Sequence, residues 1–569
     1  MATCWDGLEK SVELVNEKRI KVVLNGGALN PKGLAMKTHE LVTSKGLDLT
    51  VAYVEGDDVL SRAYELLGTS AEEKLQHLDK ENADVQLAKN TKAFLSEKET
   101  MPIVSANAYL GIRAIRKGLD DGADIVICGR VADASPVIAA AAWWHGWKDT
   151  DYDELAGALI AGHLIECSTY ITGANFAGFH QYETEDLLNL GLPIVEVEAS
   201  GECTVTKHEA LNGYVTSDTV KCQLLYELQG NIYLNSDVKA DIKQIRIEDE
   251  SKNRVRVTSV KGFPPPPTTK LAVFYRGGWQ CEFLINATGY GTAKKFALQE
   301  AQLRSKLKDF GVLDKFDILD FQWVGRPEGD PTSQLASTSY LRIFAQARDK
   351  EVIAKVMPAW GWNTMQHFSG MHLSAVQSGA PKPFLGFYPA VISQDELEES
   401  INIIDSKDNG RVQRSVVGPP RKSEPIGKRE NYETENAVDL NSFGETIMAP
   451  LGDVALARSG DKGANVNFGV YVHTAEEWDW LRSLMTRAKL QELMGGTWED
   501  WFFIERSELP DIKAVHFVVY GPLGRGVSSS KILDSLGKGF ADFIRDKHVA
   551  VPKRFLGKWK SHGSARANL

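Results

Sequence analysis

Arg130 and Asp133 are opposite charges three residues apart in IVICGRVADASPV, residues 125–137. An apolar run, Ile125 to Ile127, precedes them, and a helical VIAAAAWW follows Pro136. Charge at the mouth of a buried strand is costly unless it is paired or used. A strand that ends on glycine and polar residues and leads into a helix is where open α/β sheets place ligands. Helix amides favour an anion at such a point. Arg130 is therefore a candidate to hold a carboxylate or thioester oxygen, Asp133 a candidate base and Ser135 a binding residue. The competing reading is a structural ion pair that caps the helix.

A second group lies in GALIAGHLIECSTYITGANFAG, residues 157–178. His163, Glu166 and Cys167 sit at i, i+3 and i+4 and share one face of a helix. His163 suits a partner acid and Glu166 an alternative base. The spacing could also hold a metal. No second ligand cluster accompanies it, so no metal site is expected, and a hydrogen-bonded structural pair stays open. Thr172, Gly173 and Asn175 form a turn that can bind a ligand through side chains and backbone, or act as an ordinary turn.

The elements that must position these residues repeat one plan. IKVVLNGGALNP ends a strand on Asn25, Gly26 and Gly27; LDLTVAYVEGDD ends on Gly56, Asp57 and Asp58; MPIVSANAYLG ends on Asn107. With the strand before Arg130 this makes four, read as a mostly parallel α/β sheet whose C-terminal ends converge on one crevice. From about 193 to 290 the pattern alternates with period two, as in antiparallel strands, and QLLYELQGNIYLN is included among them. Within this section KGFPPPPTTK forms a stiff connector that fixes where Lys270 and the next strand sit. A helix is expected over 287–311, and α/β character returns over 335–400, where Trp360 and Trp362 read as core or as a pocket lid.

Residues 405–446 lose apolar periodicity and read as a linker after a first domain of residues 1–404. A small α+β, ferredoxin-like domain is expected over 447–550, with a tail over 551–569. Its loop RSGDKGANVN offers Arg458, Asp461 and Lys462 between glycines, which suits a phosphate or carboxylate. A solvated turn is the other reading, and the spacing is not that of a Walker loop. The SKILDSLGKGFADFIRD segment reads as a helix.

The chain has 569 residues, 43% hydrophobic and 25% charged, with net charge −11. That length implies two or more domains. The charge argues against a nucleic-acid or anionic-membrane partner. Six cysteines, at 4, 128, 167, 203, 222 and 281, form no CxxC pair, which fits a reducing compartment. No secretory signal or membrane-length apolar run is read. A cytoplasmic location is expected, and the closing SARANL is loosely like a peroxisomal tripeptide. A homo-oligomer is expected.

Taken together, NGGALNPKGLA, ANAYLG, ICGRVADAS, AGHLIECSTYITGANF, KGFPPPPTTK and ARSGDKGANVNFGV resemble the acyclic terpene utilisation (AtuA-like) family, in order from about residue 20 to 550. The resemblance implies an α/β N-terminal domain, a ferredoxin-like C-terminal domain and a link to acyclic isoprenoid acids degraded as coenzyme A thioesters. It supplies no catalytic residues. It also implies a further opening strand with a Gly- and Ser-rich turn before IKVVLNGG, so the chain is expected to be truncated there. No cofactor is firmly implied; a small carboxylic acid or acyl-CoA is the expected ligand.

The leading functional reading is an enzyme of acyclic isoprenoid acid or acyl-CoA metabolism that uses acid–base chemistry, as a hydratase, isomerase or lyase. A GxSxG elbow and a GxGxxG after a strand are both absent, against a hydrolase and a dinucleotide dehydrogenase. The alternatives are a non-catalytic subunit or ligand-binding scaffold of a carboxylase or ligase system, and a tailoring enzyme of secondary metabolism.

Overall fold

The structure, a computed structural model, describes residues 2–67, 76–80, 82–374, 379–405 and 410–557. It opens on the helix Ala2–Lys18, whose Leu8, Val12 and Val15 pack with Leu34, Ala35 and Val42 of the helix Pro31–Ser44. Asn30 caps that second helix, and Pro31 stands where no amide is needed.

The first sheet runs Val22–Leu24, Ile125–Ile127, Val51–Glu55, Glu399–Asp405, Arg411–Val417. The first three strands are parallel and the last two antiparallel. Ile125, Val126 and Ile127 are fully buried between the other two parallel strands, which is why an unbroken apolar run stands there.

Two expectations change at this sheet. The strand expected at 101–111 forms as Ile103–Ala108 but pairs antiparallel with Thr268–Thr288 in another sheet. Ser105 and Asn107 break its apolar run, and a parallel strand covered on both faces tolerates such breaks poorly. The parallel portion therefore has three strands, and the N-terminal domain is mixed rather than mostly parallel. Residues 411–417 of the expected linker are the edge strand of the first sheet. Its charged, alternately exposed side chains suit an edge and mimic a linker in sequence.

The second sheet is antiparallel and is organised on the 21-residue strand Thr268–Thr288. Lys382–Ser393 pairs along its first half and Thr338–Ala347 along its second, with Ile318–Val324 outside the latter. A smaller antiparallel sheet holds Pro193–Val197, Cys203–Lys207, Arg246–Ser251 and Arg254–Thr258. QLLYELQGNIYLN is mostly not strand. A capping box between Thr216 and Thr219 starts the helix Ser217–Leu224, and only Ile232–Leu234 is extended. Trp360 packs at the margin of a core cluster beside Phe283, whereas Trp362 is exposed.

The C-terminal domain is a four-stranded antiparallel sheet in the order Leu456–Lys462, Asn465–Tyr471, Ala514–Tyr520, Phe503–Leu509. Helices Ala475–Leu484, Arg487–Met494 and Phe540–Arg545 pack on it. The expected glycine loop is instead a tight hairpin. Arg458 and Asp461 lie in its first strand, and the turn is confined to Gly463 and Ala464. The expected helix at 530–546 shortens to Phe540–Arg545, because Gly537 takes a left-handed φ of 60° and interrupts it.

The two domains share a core. Leu456, Tyr471 and Ala514 belong to the same apolar cluster as Leu224 and Leu225. A Cβ on Gly460 would stand 2.2 Å from the Tyr226 ring, so the hairpin meets that ring only because residue 460 is glycine. Among the described residues no helix is long and apolar enough to cross a membrane. The SARANL tail lies outside the described residues.

Candidate active site

A cavity of about 190 Å³ lies where the hairpin turn of the C-terminal domain faces the first domain. Four stretches build its working walls: Asp133–Ala134 after the central parallel strand, Tyr233–Ser236, Thr268–Lys270 after the prolines, and Lys462–Gly463 at the hairpin. Tyr109, Asp79, Glu227, Gln229 and Asn465 add to the polar lining.

Lys270 enters from the long strand. Period-two alternation sends Leu271, Val273 and Tyr275 into the core and Lys270 to the opposite face. Its ammonium nitrogen is 4.9 Å from the centre of the Tyr109 ring and 5.6 Å from that of Phe387. Among the described residues it makes no hydrogen bond or ion pair. Burial lowers its pKa below the ordinary lysine value, and Lys462 and Arg130 push the same way. An amine so placed is more often neutral than a surface lysine and can take a proton.

Lys462 is the opposite case. Glu227, beside the helix Ser217–Leu224, forms an ion pair with it across the domain junction. Burial disfavours its charge, but Glu227 outweighs burial and raises the Lys462 pKa. Burial works on Glu227 in the same sense, and Lys462 holds that carboxyl below its ordinary value. The pair therefore stays charged and presents a fixed cation to the cavity. Asp461 is raised, first by burial and then by Glu227.

Tyr233 connects the cavity to a buried relay. Its hydroxyl is 3.1 Å from His163 Nδ1, and His163 Nε2 is 3.1 Å from the Leu224 carbonyl. A carbonyl only accepts, so Nε2 carries a hydrogen. Glu166 lies 3.4 Å from the same Nδ1. Burial opposes a charged imidazole, yet Glu166 and the Leu224 carbonyl raise the His163 pKa overall. With Nδ1 protonated, the Tyr233 oxygen accepts from it and its own O–H is free to donate into the cavity. Burial, then Glu166 and Glu227, keep the Tyr233 phenol protonated.

Arg130 stacks on Tyr109 at 4.6 Å and donates to Asp133 Oδ1 at 2.6 Å and to the Val131 carbonyl. Asp133 lines the cavity and also accepts from Asn25 at 3.4 Å. Asp57 accepts from the Arg130 amide at 2.9 Å and from Asn107 at 3.0 Å, which ties two strand ends together. Its pKa is raised, chiefly by burial. Ser135 accepts from Asn235 at 3.1 Å and so braces the wall that carries Tyr233.

Other expected positions lie elsewhere. Gly26 packs against Cys4, and the Gly27 amide donates to the Cys128 carbonyl. Thr172 gives its hydroxyl to the Thr169 and Gly191 carbonyls. The Asn175 carbonyl accepts from Arg458, whose guanidinium lies 4.9 Å from the Tyr170 ring centre and 4.6 Å from that of Tyr226. Of the sequence-derived set, Asp133 and Lys462 line the cavity, and His163 and Glu166 reach it through Tyr233. Lys270, Tyr233, Glu227, Tyr109 and Asp79 were not in that set. Lys270 had a signal: one cation among alternating apolar residues directly after a rigid proline run. Asp79 is buried beside Asn465; its Oδ1 has no hydrogen bond but lies 3.9 Å from the Arg429 guanidinium, and burial raises its pKa. Among the described residues no group of three His, Cys, Asp or Glu is placed to hold a metal ion.

Residues 1–403 match the model of the acyclic terpene utilisation family protein AtuA, and residues 449–550 match the AtuA ferredoxin-like domain. The chain belongs to the acyclic terpene utilisation family and carries its ferredoxin-like C-terminal domain. No curated protein and no solved structure matches it.

Proposed function

We propose that this chain is an enzyme of acyclic terpene catabolism that moves a proton on the carbon next to the acyl carbonyl of a branched isoprenoid acid or its thioester. The observation that supports it is the unpaired, pKa-lowered amine of Lys270 in the same cavity as the fixed cation of Lys462 and the phenol of Tyr233. In this reading Lys270 Nζ removes the α proton. The Lys462 ammonium faces the acyl oxygen and stabilises the charge that develops on it. Tyr233 Oη returns a proton, either to carbon in an isomerisation or to a departing hydroxyl in a dehydration, and the His163–Glu166 pair resupplies it.

This assigns roles differently from the sequence alone. Arg130 becomes a positioning residue, committed to Asp133 and Tyr109, and Glu166 acts behind His163. The family's link to acyclic terpenes supports a branched apolar acyl group, and Leu78, Leu159 and Ile232 give the cavity apolar wall to receive one.

The test is thermal stabilisation of the full chain by a panel of branched unsaturated acids and their thioesters, compared with a Glu227→Gln/Lys462→Gln double variant. Glu227→Gln keeps the shape of that side chain, and the two changes together remove both charges of the pair. Stabilisation of the wild type that is lost in the variant supports the reading. No stabilisation by any member of the panel overturns it.

A further inference from the structure

A second cavity, of about 560 Å³, lies behind the first. The two share a wall. Ser236 and Pro266 line the first, while their chain neighbours Asp237 and Pro265 line the second. The second cavity is lined by six basic side chains, Arg113, Arg116, Lys117, Lys148, Arg421 and Lys422, and three acidic ones, Asp120, Asp149 and Asp237. On a chain of net charge −11 this is a local reversal of sign.

The pairings sharpen it. Arg113 is held by Asp237 at 2.7 Å and Glu399 at 2.8 Å, Arg116 by Asp120 at 2.9 Å, and Lys117 by Asp121 at 2.5 Å. Lys148, Arg421 and Lys422 have no hydrogen bond or ion pair from their charged ends among the described residues. Asp149 is the lining carboxylate without a cation partner. The unspent charge of the chamber is therefore positive. The Arg113 Nε is also buried with no hydrogen-bond partner.

The chamber is held in shape. Arg421 and Lys422 follow Pro419 and Pro420, which limit the backbone, and the Glu424 amide donates to the Pro265 carbonyl at 2.9 Å. Ile112, Ala142, Leu155 and Trp147 also line the chamber, and Arg116 donates to the Trp147 carbonyl at 3.1 Å. The chamber thus combines cationic and apolar lining, within the volume of ordinary small-molecule sites.

We propose that this chamber binds an organic diphosphate, with the phosphates among Lys148, Arg421 and Lys422 and the organic part against Trp147 and Leu155. A single carboxylate would leave most of the cationic charge unanswered. Two adjacent phosphates answer it and can use the Arg fork geometry. Because Arg113 clamps Asp237, and the Ser236 hydroxyl donates to the Tyr109 carbonyl on the other side of the wall, occupancy there bears on the Tyr109 and Tyr233 side of the first cavity. The site stands independently of the acid–base reading.

The test is calorimetric titration of the full chain with ADP, inorganic pyrophosphate and inorganic phosphate. Variants are Arg421→Glu/Lys422→Glu and, as control, Lys355→Glu, an exposed lysine outside the chamber. All the substituted residues are exposed, so circular dichroism should report an unchanged fold. The expected result is saturable ADP binding, tighter than pyrophosphate and much tighter than phosphate, weakened at least about tenfold by the double reversal and unaffected by the control. Equal affinity for ADP and pyrophosphate overturns the organic part. No saturable binding of any of the three, or equal weakening by the control, overturns the site.

Discussion

The Tyr233 hydroxyl lies 3.1 Å from His163 Nδ1, and this contact joins a fully buried histidine to the cavity between the two domains. It gives a residue on the helix Tyr152–Glu166 a route to a ligand it does not touch. Tyr233→Phe keeps the ring packing and removes that route. The expected outcome is a fall in kcat of about 10²- to 10⁴-fold with little change in KM. Steady-state kinetics beside a melting curve checks it.

Lys270 sets the pH profile. Its pKa is lowered by burial, so the neutral amine gains population as pH rises, with an inflection below the ordinary lysine value of about 10.4. The rate constant kcat/KM should rise through that inflection on its alkaline approach. Lys270→Arg, which cannot lose its proton, should abolish the inflection together with the activity.

Glu227 and Lys462 set a stability window. The Glu227 pKa is depressed in the fold, so its contribution is present above the unfolded value of about 4.3 and is lost as pH falls through the folded one. The Lys462 pKa is raised, so its contribution is present below about 10.4 and is lost as pH climbs through the folded value. Breaking the pair by Lys462→Gln alone should cost about 3–5 kcal/mol by leaving a buried carboxylate uncompensated. The Glu227→Gln/Lys462→Gln double variant should cost less and should flatten the acid limb. Urea unfolding across pH measures both.

Arg458 belongs to the domain junction rather than to the cavity. It is buried against the rings of Tyr170 and Tyr226 and donates to the Asn175 carbonyl. Arg458→Met should lower stability by about 1–3 kcal/mol while leaving turnover per folded molecule near that of wild type. Thermal unfolding with active-site titration separates the two.

Much of the fold was legible because burial and period wrote it into the chain. Ile125–Ile127 is apolar without a break since both faces are covered, and Pro193–Lys207 alternates since it forms a hairpin. Ile103–Ala108 was read into the wrong sheet, because a strand that ends near Asp57 looks the same whichever neighbour it pairs with. Arg411–Val417 was read as linker because an exposed edge strand carries linker composition. At the site, Asp133, His163 and Lys462 were legible as charge out of place. Lys270 was named only as the residue that the proline connector places, and Tyr233 not at all, because a lysine or tyrosine in a strand is ordinary until the fold shows what its face meets.

The central claim is that the Lys270 amine removes a proton next to an acyl carbonyl. The direct measurement is exchange of the α proton of a branched isoprenoid thioester in deuterated water, followed by NMR, with wild type and Lys270→Met. The account predicts exchange catalysed by the wild type and lost, by about 10²-fold or more, in a variant that remains folded and still binds the thioester. Exchange at an undiminished rate in Lys270→Met would contradict it.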